Sequence, residues 1–139
     1  MEELKLELIL SNHLKQNNLE LFYNRLFLVT FDEKYAKGIF NQYVELAKEV
    51  GLSETLDKCV LQSTPSGGYH LVFQCKTEIR NLKLARCEDG KVAIETRGSG
   101  GYFLIAPSKG YEVLKGDFKD IQEISSEERD ALLEVAKVL

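Results

Sequence analysis

The chain has 139 residues, 44% hydrophobic and 29% charged, which suits one folded domain burying roughly two-thirds of its unfolded surface. A net charge of −4 argues against a strongly basic, nonspecific nucleic-acid binder, although a locally basic groove stays compatible with it. No stretch approaches the ~18 apolar residues that a membrane helix needs.

The start Met1-Glu2-Glu3 carries no targeting pattern. Cys59, Cys75 and Cys87 have no metal-ligand spacing, and their odd number predicts reduced thiols in a cytosol. From Glu2 to Leu10 leucines alternate with charged residues, a pattern that admits strand or helix. Residues 11–24, with Asn12, Asn17 and Asn18, read as a connection. Leu26 to Phe31 is an apolar, β-prone run and predicts a buried strand. From Ile39 to Val50 apolar residues recur at helical spacing and Gly51 follows as a stop. Further strands are predicted over 58–64, 69–75, 91–97, 102–106 and 111–115. The polar connection from Cys75 to Lys91 is expected to be the most mobile segment. Ser125 with Glu128 three residues on is a capping-box signature for a last helix reaching about Leu139. The chain reads as one α+β domain spanning 1–139, without repeats or linkers.

The chemistry concentrates in two glycine turns. TPSGGYHLVF (Thr64 to Phe73) feeds a histidine into a strand, and IETRGSGGYFLIAPS (Ile94 to Ser108) carries an acid and an arginine on the strand leading in. Alternation puts Tyr69, Leu71, Phe73 and Cys75 on one face and His70, Val72 and Gln74 on the other. Likewise Val92, Ile94 and Thr96 oppose Ala93, Glu95 and Arg97. His70, Glu95 and Arg97 on one open sheet face suggest a site for an anionic, phosphate-bearing ligand with a metal. Plainer readings stand beside this one. Asp32 can be a loop-capping acid, His70 a half-buried strand histidine, and Glu95 and Arg97 a pair on a solvated face, worth under ~1 kcal/mol. Gly67, Gly68, Gly100 and Gly101 serve turns in either case. Tyr102 and Phe103 read as core, and His13 as incidental.

Taken together, LFLVTFDEKY, SGGYH, NLKLA, IETRGSGGYFLIAPS and GYEVLKGDF come in an order that resembles the archaeo-eukaryotic-type primase–polymerase domains of phage and mobile-element replication proteins. The resemblance covers about Phe27 to Phe118. It implies a sheet-and-helix module similar to an RNA-recognition motif, with a mainly antiparallel sheet, flanking helices and the site on the sheet. Also implied are a nucleoside triphosphate and a DNA template as partners, a helicase domain or protein beside it, and Mg²⁺ or Mn²⁺ held by an Asp-x-Asp motif and a later acid. That motif falls on Thr30-Phe31-Asp32, the later acid on Glu95 and the phosphate-contacting histidine on His70. Ser66, Gly67, Gly68 and Arg97 would complete the nucleotide contacts. Thr30 stands where the first aspartate is expected. A register shifted by two would instead put Lys34 in the place of the second. Mg²⁺ needs only one or two protein carboxylates besides substrate phosphates, so Asp32 and Glu95 could hold one ion. The expectation is a nucleotidyltransferase with a weakened or single-metal site; the alternative is a degenerate module that binds nucleic acid or protein within a larger primase–helicase.

Overall fold

The computed structural model of the chain describes residues 4–5, 26–34, 36–77, 82–97 and 104–139. Strand β1 is Leu4–Lys5, and the apolar run expected to be a strand is β2, Leu26–Phe31. Helix α1 (Ile39–Glu49) buries Ile39, Phe40, Tyr43 and Ala47. That three-to-four spacing is what an amphipathic helix requires. Gly51, at φ 87°, follows its end, in the left-handed conformation that stops helices. A short helix not expected from the sequence, α2 (Ser53–Asp57), leads into β3 (Val60–Ser63) and β4 (Tyr69–Cys75).

Part of the polar connection between Cys75 and Lys91 forms β5 (Lys83–Arg86), a strand not expected from the sequence, paired antiparallel with β6 (Val92–Arg97). The turn between them is closed by Cys87 N–H donating to Lys91 O at 2.8 Å and Gly90 N–H to Cys87 O at 2.9 Å. Asp89-Gly90 supplies the residue types for that turn. Strands β7 (Leu104–Ile105), β8 (Glu112–Lys115) and β9 (Glu123–Ile124) are short, and α3 (Ser126–Lys137) ends the chain's regular structure. The predictions for 6–24, for the turn at Gly100 and Gly101, and for His13, Tyr102 and Phe103 fall outside the described residues.

Among the described residues seven strands form the main sheet in the order β5-β6-β2-β4-β3-β8, with β9 beside β4; β1 and β7 pair separately. Every pairing is antiparallel except β4 with β9, so the α+β class is the expected one. Phe27, Val29 and Phe31 of β2 and Leu71, Phe73 and Cys75 of β4 face α1 and α3 in one core cluster. Fully burying such an apolar side chain stabilises the fold by roughly 1.5–3 kcal/mol. The rings of Phe31, Phe40, Tyr43 and Tyr69 interlock there, with centroids 4.4–5.0 Å apart. Tyr43 Oη donates to Leu132 O at 3.0 Å and so ties α1 to α3. Among the described residues no helix is long and apolar enough to cross a membrane.

The opposite face of the sheet was expected to be open, and it is not. Leu28 and Val72 are 0% exposed and Val60 is 2% exposed, yet they lie outside the helix-side core. The chain just after β7 crosses this face, where Ala106 N–H donates to Gln62 Oε1 at 3.1 Å. Accessible on this side are the end of the sheet at the β3–β4 turn and a hollow beside β6 lined by Glu95 and Arg97.

Candidate functional site

Strand register decides which side chains meet. Thr30 pairs with His70 on one side and with Glu95 on the other, and directly opposed residues in a sheet share a face. Leu28 pairs with Arg97, and His70 pairs with Gln62 on its far side. Gln62, His70, Thr30 and Glu95 therefore run as a row across β3, β4, β2 and β6. Asp32 lies just beyond β2, where its N–H still donates to Ala93 O at 2.8 Å. The ladder thus continues far enough to keep Asp32 in phase with Thr30.

Asp32, Thr30 and His70 line one cleft of about 320 Å³ with Thr64, Ser66 and Tyr111. Its rim is the β3–β4 turn. Thr64 N–H donates to Gly68 O at 3.0 Å and Gly67 N–H to Thr64 O at 3.0 Å, while Gly68 N–H donates to Thr64 Oγ1 at 3.1 Å. Gly67 sits at φ 87°, and a Cβ on Gly68 would lie 2.4 Å from Phe31 O. The Gly-Gly pair is thus needed to bend the turn and to bring it against the end of β2. Both glycine amides are used inside the turn. Ser66 Oγ, 3.2 Å from Thr64 Oγ1, lines the cleft beside it.

His70 is half-buried. Burial, and secondarily the Arg97 guanidinium, hold its pKa down at about 4. The imidazole is neutral near pH 7, so a contact to phosphate would be that of a neutral donor. Its Nδ1 lies 3.0 Å from Gln62 Nε2. Because Gln62 Oε1 accepts from Ala106 N–H, the amide orientation is set and its nitrogen donates to Nδ1. The ring proton of the neutral form then sits on Nε2. Tyr111 packs beside the ring, with centroids 6.3 Å apart.

Glu95 shares the sheet face but opens into a separate hollow with Lys83, Leu82 and Arg97. Its Oε1 lies 3.3 Å from Arg97 Nη2, the plain pairing that the sequence allowed. Asp32 also plays its plain role: its Oδ1 accepts Lys34 N–H at 2.9 Å, leaving the second carboxylate oxygen outside that turn bond. Divalent cations such as Mg²⁺ take oxygen ligands. The oxygen groups that line the cleft include the Asp32 carboxylate and the Thr30, Thr64 and Ser66 hydroxyls. Glu95, expected to share one ion with Asp32, is drawn to Arg97 and lines a different hollow from Asp32. Among the described residues no group of three or more His, Cys, Asp or Glu side chains converges on a point.

Gln62 and Tyr111 were not anticipated as site residues. The turn chemistry could have found Gln62, because closing the loop at Thr64 and Gly68 counts back to Gln62 opposite His70. Tyr111 arrives next to β8 through a non-local pairing, Ser63 with Glu112, for which the sequence carries no local signal. No protein-family model matches the chain, and a search of curated proteins finds no similar one.

Proposed function

We propose that this domain binds a nucleoside triphosphate with one Mg²⁺ or Mn²⁺ ion in the cleft between Asp32 and the β3–β4 turn, as a replication module of the primase–polymerase kind with weakened nucleotidyl transfer. The observation that supports this reading most is the register that sets Thr30 between His70 and Glu95 and brings Asp32 to the cleft in phase with them. In it, Asp32 and Thr30 hold the ion against phosphate oxygens, Ser66 and His70 Nε2–H donate to phosphate, and Arg97 offers a cation at the adjoining hollow. The ion, when bound, neutralises charge that builds on the phosphates. Transfer chemistry of this type is mostly positioning, so replacing a carboxylate by Thr30 should cost rate more than binding. Template DNA would lie along the remaining sheet end, with a helicase domain or protein as neighbour and the cytosol as compartment.

A second reading, a module that binds nucleic acid or protein without catalysis, is favoured by the engagement of Glu95 with Arg97 and by the neutral His70. Calorimetry with a nucleoside triphosphate and Mn²⁺, run beside template-directed primer extension, separates the two. Metal-dependent nucleotide binding with slow extension, both abolished in Asp32→Ala, is the expected result. Binding without any extension selects the second reading. Absence of nucleotide binding, or binding that Asp32→Ala leaves intact, overturns the proposal.

A further inference from the structure

On the side of the molecule formed by the helices, α1 and α3 pack with an apolar groove between their outer edges. Leu46 and Val50 of α1 and its end, with Ala131, Val135 and Val138 on the α3 side, line a trough of about 370 Å³. Val50 is 58% exposed and Val138 70% exposed, apolar surface of the kind that marks interaction sites. The border of the groove is charged and mainly acidic. On α1, Glu45 and Glu49 stand one step round the helix from Leu46 and Val50; on α3, Glu127 and Glu134 stand one step round from Ala131 and Val138. All four are exposed. Lys48 projects from the opposite side of α1 by the same spacing. Lys137, which pairs with Glu134 at 3.1 Å, is the basic residue nearest this border.

We infer that this groove docks an amphipathic helix of a partner protein whose apolar stripe is flanked by lysine or arginine. The apolar floor fits residues repeating at i, i+3, i+4 and i+7, the pattern by which helices fill grooves between helices. The acidic border selects cationic flanks and rejects anionic ones, as charge complementarity at an interface rim does. The same border disfavours a second copy of this chain, because self-association would set these glutamates against one another. This docking is independent of nucleotide binding, since the groove lies across the core from the cleft.

The test uses the whole chain, isotopically labelled, and three synthetic peptides of equal length. One has leucines at helical spacing with lysine flanks, one has glutamates in place of the lysines, and one scrambles the lysine peptide. The lysine peptide should shift the amides of Leu46, Val50, Ala131, Val135 and Val138 and bind at least tenfold more tightly than either other peptide. Val50→Lys with Val138→Lys, both at exposed positions, should remove that binding while leaving the thermal midpoint nearly unchanged. Glu49→Lys with Glu134→Lys should shift preference toward the glutamate peptide. Equal binding of the scrambled peptide, shifts mapping elsewhere, or unchanged preference after charge reversal would overturn the inference. So would concentration-dependent dimerisation of the chain alone through these residues.

Discussion

Thr30 is the residue on which the site turns, because register places it directly across from both His70 and Glu95. An aspartate there would face Glu95 as a like charge, which destabilises a cross-strand pair by up to about 1 kcal/mol. Thr30→Asp is therefore expected to lower the melting temperature in metal-free buffer and to recover it on adding Mn²⁺, with tighter Mn²⁺ binding than wild type. A metal-independent melting temperature would place the new carboxylate away from the ion. His70 provides a second check. Its pKa is held at about 4 from an ordinary 6.5, so between those values the unfolded chain binds a proton that the folded one does not. Stability is then unaffected by this group above about pH 6.5 and falls as pH drops from there toward 4. Imidazole NMR should give a midpoint near 4 for His70, and Gln62→Leu should disturb the tautomer by removing the donor to Nδ1. A midpoint near 6.5 would mean an exposed, uncoupled ring.

The last helix and the β3–β4 turn carry the clearest predictions among the elements. Ser125 Oγ accepts Glu128 N–H and Glu128 Oε1 accepts Ser125 N–H, both at 3.0 Å, the box that the sequence announced. Glu128 Oε2 also accepts Thr55 Oγ1–H at 2.8 Å and pairs with Lys58 at 3.2 Å, so it joins α2 and the following turn to the start of α3. These partners, the Ser125 amide first, lower its pKa from 4.5 to about 2. The stability they add is present above pH 4.5 and is lost as pH falls through 2; Glu128→Gln should flatten that part of an acid titration. Ser125→Ala should cost about 1 kcal/mol in denaturant unfolding. Gly68→Ala should cost more, roughly 1–3 kcal/mol, because its methyl group meets Phe31 O rather than a side chain that can move. β4, β6, α1 and α3 were legible because their side chains follow a clear two- or four-residue period, and β2 because it is a nearly unbroken apolar, β-prone run. β5 was not, since Lys83 and Arg86 are exposed at the ends of a strand four residues long; only the Asp89-Gly90 turn advertises it. α2 is too short for any period to emerge.

For the molecule as a whole, alternation told which face each residue of a strand takes, and it placed His70, Glu95 and Arg97 together. It could not tell that the chain after β7 lies over part of that face, because that coverage depends on a contact between Gln62 and Ala106, residues 44 apart in sequence. Nor could it tell that Glu95 would turn to Arg97 while Asp32 opened on the cleft, a matter of side-chain packing around individual strands. The proposed nucleotide cleft lies at the end of the sheet, lined by Asp32 and the Thr64–Gly68 turn, with Glu95 in the hollow beside it. Paramagnetic broadening locates a bound Mn²⁺ ion most directly. In a labelled sample holding a nucleoside triphosphate, substoichiometric Mn²⁺ should broaden the amides of Thr30, Asp32, Ser66 to His70 and Tyr111 first, and Asp32→Ala should abolish the effect. Broadening centred on other residues, or persisting unchanged in Asp32→Ala, would contradict the assignment of the cleft.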